Sequence, residues 1–179
     1  SIKVKTALLE DNSLMTKVVN LADRCVVSLN SGGKIIFCGN GGSFADAQHL
    51  SAEFTSRFMF DRNPLPSIAL GTNSSAMSAI ANDYGYEEVF SRELDSIATG
   101  NDLFIPISTS GNSKNIINAI EVAMNKNIRV IALSGSSGGL IKSLCECICI
   151  PSNNTARIQE AHIMIGHIMC GIVEAEFFK

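Results

Sequence analysis

The sequence predicts an α/β domain in which a five-stranded parallel sheet lies between two layers of helices. Five short apolar runs, each of strand length, alternate with segments whose apolar residues recur at helical spacing. Within the runs, consecutive residues are apolar, which is typical of strands covered on both faces. Because parallel neighbours need a crossover connection, usually a helix, this alternation favours a three-layer sandwich.

The predicted elements follow one another in a regular order. Apolar residues at helical spacing predict a long N-terminal helix over about residues 4–30, used in oligomer packing, which Gly32 and Gly33 end. The strand-length runs follow at 34–38, 67–70, 102–107, 129–133 and 145–150. Helical patterns lie near 43–58, 74–81, 86–98, 113–126, 137–143 and 154–178.

Length and composition indicate one domain over residues 1–179. A chain of this length buries a sufficient core without disulfides or a structural metal, and no linker, repeat or low-complexity tract divides it. Hydrophobic residues make up 46% and charged residues 17%, with a mean hydropathy of +0.22. This apolar balance predicts that part of the surface is buried between subunits of a homo-oligomer.

Charge and segment composition narrow the class of partner. The net charge is −3 and the charges are mixed along the chain, which argues against nucleic acid and against a polybasic membrane surface. No apolar stretch approaches the about 20 residues of a membrane span, and the first residues carry no signal-peptide core. We therefore expect a cytoplasmic protein that binds neither nucleic acid nor membrane.

Six cysteines raise the question of disulfides or a metal site. Three of them, between residues 145 and 149, alternate at strand periodicity, which differs from zinc-ligand spacing, and the other three stand singly among apolar residues. This distribution favours reduced thiols packed as small core residues.

Two polar loops carry the main functional signal, because each follows an apolar run and opens a helical pattern. They are Gly39-Asn40-Gly41-Gly42-Ser43 and Ser108-Thr109-Ser110-Gly111-Asn112-Ser113. Glycine N–H groups, hydroxyls and the positive end of a helix accommodate anions, phosphate above all. In a parallel sheet both loops would lie at the carboxyl edge of the strands, where ligands bind.

Other interpretations of these loops exist. The first loop could be an ordinary strand-to-helix turn, and Ser113 could serve in part as a helix N-cap. A dinucleotide fingerprint is disfavoured because Phe44 stands where its third glycine would be, and no P-loop pattern is present. For the second loop, three hydroxyl residues ahead of the helix favour anion binding.

Polar residues on two helical segments could bind a metal. His49 and Glu53 are four residues apart and share a helix face, while the last helix carries Gln159, His162 and His167. Taken separately, a helical histidine is usually packed, and a His–Glu pair at this spacing usually lies on the surface. Two imidazoles, a carboxylate and an amide oxygen together would suit zinc. Helical geometry alone does not choose between the last two histidines.

At these residues the chain resembles the phosphoheptose isomerases of the sugar-isomerase (SIS) superfamily, over nearly its whole length. The resemblance rests on four segments: Cys38 to Ser43 continuing through Asp46-Ala47-Gln48-His49 to Glu53, then Ala81-Asn82-Asp83-Tyr84-Gly85, then the loop from Ser108 to Ser113, and Ala156-Arg157-Ile158-Gln159-Glu160 with His167. It implies a flavodoxin-like SIS fold and a homotetramer whose active sites lie at subunit interfaces.

The resemblance also implies a set of site residues. One zinc ion per subunit would be held by His49, Glu53, Gln159 and His167, which leaves His162 to packing. Glu53 and Gln159 would also bind substrate, together with Asn40, Gly41, Gly42, Asn82, Asp83, Ser108, Thr109, Ser110 and Ser113. Some members carry an aspartate or another polar residue where this chain has Ala156, so we expect that position to contribute little.

The implied activity is that of an aldose–ketose isomerase, which converts D-sedoheptulose 7-phosphate to D-glycero-D-manno-heptose 7-phosphate for heptose and lipopolysaccharide biosynthesis. A proton has to move between C1 and C2 through an enediol, so the site needs a base and a means of stabilising negative charge. A metal would supply the second as a Lewis acid. We expect Glu53 to be the base and His167 to assist proton transfer at the oxygens.

Two other classes of SIS protein share parts of this pattern. A non-enzymatic relative that binds the bacterial replication initiator protein resembles the first loop and the Arg157–Glu160 segment, but it lacks the glutamate and the final histidine. Sugar-phosphate-sensing regulatory domains keep the serine loop without the metal set, beside a partner domain. The presence of both Glu53 and His167 favours an enzyme.

Overall fold

The computed structural model describes all 179 residues and contains one five-stranded sheet. Its strands are β1 (Ile35–Gly39), β2 (Ser67–Ala69), β3 (Leu103–Ser108), β4 (Arg129–Ser134) and β5 (Glu146–Cys149). All neighbours are parallel, in the order β2-β1-β3-β4-β5. The predicted sheet is confirmed, and each strand agrees with its predicted range to within one residue at either end.

Helices cover both faces of this sheet. They are α1 (Ile2–Glu10), α2 (Asn12–Asn30), α3 (Gly42–Thr55), α4 (Ser74–Tyr84), α5 (Val89–Ile97), α6 (Lys114–Asn125) and α7 (Thr155–Phe177). One core cluster packs α1, α2, α3 and α7 against one face, and a second packs α4, α5 and α6 against the other. Two 3₁₀ turns, Tyr86–Glu88 and Leu140–Ser143, account for the rest of the predicted helical segments.

Strand β1 shows why the strands are apolar at consecutive positions. Ile35 and Phe37 belong to the first core cluster, whereas Ile36 and Cys38 belong to the second. All of β1 is buried, because alternate side chains point to opposite faces and each face is covered by helices. The run therefore lacks the apolar–polar alternation of a half-exposed strand.

The predicted N-terminal helix is interrupted at Asp11. This residue leaves the helical conformation, with φ −88° and ψ 89°, and its carboxylate accepts a hydrogen bond of 3.0 Å from the Leu14 N–H. Asp11 thereby caps α2, as short polar side chains commonly do. The apolar spacing continues across the break because Leu8 and Leu14 pack into the same core.

The order of the strands creates a switch point between β1 and β3. From β1 the chain passes to β2 on one side, and β3 returns to the other side of β1. In sheets of this kind, ligands bind in the crevice at the carboxyl ends of the strands where the direction reverses. Both polar loops lie at that edge, since one follows β1 and the other follows β3.

Two further observations concern the chain as a whole. All six cysteines are free thiols, and four of them are buried. None of the seven helices combines the length and the apolar character needed to cross a membrane.

Candidate active site

The first polar loop turns the chain from β1 into α3. Gly41 has a φ of +57°, a conformation that favours glycine, and Gly42 begins the helix. A Cβ atom on Gly42 would lie 2.4 Å from Nε2 of Gln159, which belongs to α7. The loop therefore needs glycine twice, once for its turn and once for the close approach of Gln159.

Asn40 joins this loop to the helix that follows the second loop. Its side-chain amide exchanges two hydrogen bonds of 2.9 Å with the amide of Asn115, a residue of α6 that is only 4% exposed. The Tyr86 hydroxyl donates a further bond of 3.1 Å to Asn40 Oδ1. Since these contacts use three of the four bonding positions of the Asn40 amide, one N–H is left for a ligand.

The second polar loop presents its hydroxyls unequally. Ser108 is buried, and its Oγ accepts a bond of 3.2 Å from the Gly111 N–H and lies 3.4 Å from Ser113 Oγ. Ser113 is the N-cap residue of α6, but its side chain makes no capping bond. Ser110 is exposed, and its hydroxyl accepts a bond of 3.2 Å from the Asn112 N–H.

A glycine-rich segment, residues 134–139, begins at the last residue of β4 and supports the second loop from behind. Gly111 has a φ of +65°, and a Cβ atom on it would lie 2.0 Å from the carbonyl oxygen of Gly138. The Ile141 N–H donates a bond of 3.1 Å to the Gly111 carbonyl. The two segments thus contact each other backbone to backbone, with no room for side chains between them.

The two polar loops border a cleft of about 310 Å³. No charged side chain lines it, and the N-terminal ends of α3, α6 and α7 reach its wall, α6 through its N-cap residue Ser113. Positive helix ends, backbone N–H groups and hydroxyls together suit an anion of phosphate size. The lining residues are Asn40, Gly41, Gly42, Ser43, Ile107, Ser108, Thr109, Ser113, Thr155 and Gln159.

Helices α3 and α7, which both begin at this cleft, bring together His49, Glu53 and His167. Nε2 of His49 lies 2.9 Å from Nε2 of His167 and 3.2 Å from Oε1 of Glu53. One ligand atom from each of the three residues lies within 4.8 Å of the other two. His162 is not part of this group, since its side chain is buried beside the carbonyl oxygen of Ser134.

The arrangement of these three residues fits a divalent cation. Two imidazole nitrogens that face each other at 2.9 Å share at most one proton, whereas a cation would satisfy both lone pairs. In tetrahedral zinc sites, ligand bonds of about 2.0–2.1 Å put neighbouring ligand atoms roughly 3.3 Å apart. Gln159 lies at the cleft wall against Gly42, and its membership of the ligand set stays a prediction.

The segment after α3 contacts both ends of this cluster. The Phe58 ring stacks on the His167 ring, with centroids 5.5 Å apart and planes at 27°. Glu174 Oε1 accepts bonds from the Phe58 N–H at 2.9 Å and from Arg62 Nε at 2.7 Å. Arg62 Nη2 donates to the Glu53 carbonyl at 2.7 Å. This one segment therefore contacts two of the three cluster residues, His167 through Phe58 and Glu53 through Arg62.

Asp46 adds negative character one helical turn before His49. Burial raises the pKa of its carboxyl group, and the nearby His49 imidazole opposes that change. Its Oδ2 atom is buried and has no hydrogen-bond partner in the protein. A carboxylate next to the cluster favours the binding of a cation there.

Two of the predicted substrate-binding residues lie away from the cleft of their own chain. Asn82 and Asp83 are exposed near the end of α4, where the Asn82 amide donates a bond of 2.8 Å to the Asp83 carboxylate. They border a separate surface hollow with Ser74 and Ser78. Within one chain, the structure does not bring them to the other predicted residues.

The structure adds positions that sequence reasoning missed. Thr155 lines the cleft, Asn115 holds Asn40, and the 134–139 segment supports the second loop. A signal for the segment was present, because Ser134-Gly135-Ser136-Ser137-Gly138-Gly139 directly follows a predicted strand at the same sheet edge. Asn115 gave no signal, since its partner is distant in sequence.

Comparison with known proteins extends this picture over the whole chain. The SIS domain family pattern matches residues 3–135. The phosphoheptose isomerase of Aneurinibacillus thermoaerophilus is 51% identical over 180 residues, covering 100% of this chain and 91% of that protein. Phosphoheptose isomerase 2 of Campylobacter jejuni is 52% identical, covering 99% of this chain and 89% of that protein.

A solved structure agrees with these sequence matches. A phosphoheptose isomerase from Francisella tularensis superposes with a TM-score of 0.92 at 34% identity, covering 98% of this chain and 93% of that one. Sequence and fold therefore correspond along almost the whole length of the proteins compared. The chain belongs to the phosphoheptose isomerase family of SIS domain proteins.

Proposed function

We propose that the protein is an aldose–ketose isomerase that converts D-sedoheptulose 7-phosphate to D-glycero-D-manno-heptose 7-phosphate, as a step in heptose and lipopolysaccharide biosynthesis. The observation that carries the proposal is the arrangement of α7, which begins at the uncharged cleft with Thr155 and Gln159 and carries His167 of the histidine–glutamate cluster. Membership of the phosphoheptose isomerase family supports the choice of a seven-carbon substrate.

The phosphate group would bind in the cleft. Ser108, Thr109 and Ser113 supply hydroxyls, and the N-terminal ends of α3, α6 and α7 supply positive potential. Because no lysine or arginine lines the cleft, the dianion would be bound by neutral donors alone. Ser110 would contribute less, since it does not border the cleft.

The proton transfer would use the cluster at the side of the cleft. The Glu53 carboxylate takes a proton from C1 of the ketose and returns it to C2, so that the base is regenerated. The His167 imidazole moves a proton from O1 to O2, which turns the C1 hydroxyl into the aldehyde and the C2 carbonyl into a hydroxyl. Phe58, stacked on His167, keeps the plane of that imidazole fixed.

Zinc, one ion per subunit, would be held by His49, Glu53 and His167 with Gln159, so that metal binding and proton transfer are coupled at Glu53 and His167. When bound, it would supply Lewis-acid stabilisation of the negative charge that develops on the sugar oxygens. Three convergent donors of the histidine and carboxylate type support this assignment.

A homotetramer with active sites at subunit interfaces completes the proposal. The exposed position of Asn82 and Asp83, away from the cleft of their own chain, supports it, because a second subunit would let them reach a substrate. A cytoplasmic location is also proposed, since six free cysteines suit a reducing compartment.

The test is an assay of the purified protein with added zinc against ketose phosphates of five to seven carbons. We expect an aldoheptose phosphate from sedoheptulose 7-phosphate and slower or no conversion of the shorter sugars. Glu53→Gln should abolish conversion while sugar-phosphate binding persists, and Glu121→Gln, an exposed change on α6, should leave the rate unchanged. An inactive wild type that instead binds replication initiator protein would overturn the proposal.

A further inference from the structure

His162 lies on α7 between Gln159 and His167 but takes no part in the histidine–glutamate cluster. Its side chain is 0% exposed, and its Nε2 atom lies 3.2 Å from the carbonyl oxygen of Ser134, the last residue of β4. Because a carbonyl oxygen only accepts, Nε2 carries the proton and Nδ1 carries the lone pair. The ring therefore donates one hydrogen bond to the end of β4.

The residues that receive this bond hold the second polar loop. The Ser134 hydroxyl donates a bond of 2.7 Å to the carbonyl oxygen of Ser108, and the Gly135 N–H donates one of 3.1 Å to that of Thr109. Both acceptors belong to residues that line the cleft. His162 thus connects to the phosphate-binding loop through one peptide unit, that of Ser134 and Gly135.

The space around Gly135 makes this connection tight. A Cβ atom on Gly135 would lie 2.5 Å from the Thr109 carbonyl oxygen and 2.8 Å from Cδ1 of Ile158, which also belongs to α7. The peptide therefore lies between α7 and the loop without free space. A shift of α7 relative to β4 would be transmitted to Ser108 and Thr109.

A histidine is a costly residue for this position. Its Nδ1 atom is buried and has no partner, and burial lowers the pKa of the ring to about 4, against the smaller opposing effect of the Ser134 carbonyl. A phenylalanine of similar size would fill the same space without an unsatisfied acceptor. What the histidine adds, and a phenylalanine would lack, is the bond to Ser134.

We propose that His162 is a positioning residue for phosphate binding: through Ser134 and Gly135 it holds Ser108 and Thr109 in register with α7, the helix that carries Gln159 and His167. The proposal rests on the proposed function, because it assumes that the cleft binds the phosphate group. It assigns His162 no contact with substrate or metal. Its role is to fix the distance between the phosphate-binding loop and the histidine–glutamate cluster.

The experiment compares His162→Phe with the wild type by calorimetric titration with inorganic phosphate and with sedoheptulose 7-phosphate, and by steady-state kinetics. Loss of one buried hydrogen bond predicts a Kd for both ligands that is about three- to tenfold weaker. KM should rise by a similar factor while kcat changes less than about twofold, because the reacting carbons are bound at the other end. The free energy of unfolding of His162→Phe at pH 8 should equal or exceed that of the wild type. If His162 had only a structural role, the variant should instead be less stable.

Two further variants make the result specific. Ser134→Ala removes the hydroxyl bond to Ser108 and should reproduce the selective loss of phosphate affinity, so it serves if His162→Phe does not fold. His162→Gln keeps a side-chain N–H donor and should recover part of the affinity. Met169→Leu is the matched control, since it changes a buried residue of α7 that lies two helical turns beyond His162 and contacts Cys25 of α2.

The possible outcomes distinguish the proposed phosphate site from the proposed role of His162. If the wild type binds neither ligand, the cleft is not a phosphate site and both proposals fail. If the wild type binds both ligands and His162→Phe binds them within twofold, only the role of His162 is overturned. An equal loss in Met169→Leu would overturn it as well, because the effect would then be general to the core of α7.

Discussion

Arg62 and Glu174 form an ion pair of 2.7 Å whose side chains are only 3% and 1% exposed. The pair lies next to the histidine–glutamate cluster, since Arg62 also bonds the Glu53 carbonyl and Glu174 bonds the backbone of Phe58. A buried ion pair of this kind is stable only because further hydrogen bonds to both side chains offset the cost of removing their charges from water. It orders the segment between α3 and β2, which carries few regular backbone hydrogen bonds.

Glu174→Gln should therefore destabilise the protein strongly. The change leaves the Arg62 guanidinium buried without its counter-charge, and we expect the free energy of unfolding to fall by about 3 kcal/mol. Urea denaturation measures this. Glu176→Gln, which breaks an exposed pair between the last turn of α7 and Lys179 beyond its end, should cost less than about 0.5 kcal/mol. Equal costs for the two variants would contradict the role assigned to the buried pair.

Phe58→Leu should weaken metal binding. Without the stacked ring, the His167 imidazole is free to rotate away from His49, and loss of such support typically lowers metal affinity about tenfold or more. Competition for zinc with a chromogenic chelator gives the affinity independently of activity. Phe60→Leu provides the control, since Phe60 lies near Phe178. Unchanged zinc affinity in Phe58→Leu would show that the stacking is incidental.

Ser110 and Ser113 of the second loop should differ in their effect on phosphate binding. Ser113→Ala removes a hydroxyl that borders the cleft and has no capping bond, so we expect KM for sedoheptulose 7-phosphate to rise about tenfold. Ser110→Ala should raise it less than about twofold, because Ser110 is turned to solvent. Steady-state kinetics of the two variants side by side decides the matter, and the reverse order would place the phosphate on the other side of the loop.

His162 should make the protein less stable in mild acid. Its pKa is about 4 in the folded protein and about 6.5 in the unfolded chain, so below pH 6.5 the unfolded state binds a proton that the folded state does not. Stability is therefore lost as the pH falls from about 6.5 to 4, by on the order of 2–3 kcal/mol for this residue. His162→Phe lacks this contribution, and the difference in unfolding free energy between variant and wild type should grow toward pH 4. Parallel pH curves would contradict it.

The sheet was predictable from sequence because each strand is buried on both faces. Ile35 to Cys38 read as one apolar run only because two separate cores take up alternate side chains. The break at Asp11 was missed for the opposite reason, since Leu8 and Leu14 continue the apolar spacing into the same core. Apolar spacing indicates which face of a helix is buried. It does not reveal a break between two helices when both bury the same face.

The histidines of α7 mark the limit of helical spacing as evidence. Sequence geometry left His162 and His167 as equal candidates, and the resemblance to a family favoured His167. In the structure, His167 meets His49 of α3, whereas His162 meets the end of β4. The two histidines differ in the element that each one faces, and that depends on contacts with residues 118 positions away for His167 and 28 positions away for His162.

The backbone contact between Gly111 and Gly138 has a consequence for redesign of the substrate range. In a library that varies Gly111, most variants would fail to form the second loop, because even a methyl group at this position would overlap the Gly138 carbonyl oxygen. Ser43 and Thr155 border the same cleft. Directed evolution toward other phosphorylated sugars should place its diversity at these two positions and leave Ser113 and the glycines of both facing segments unchanged.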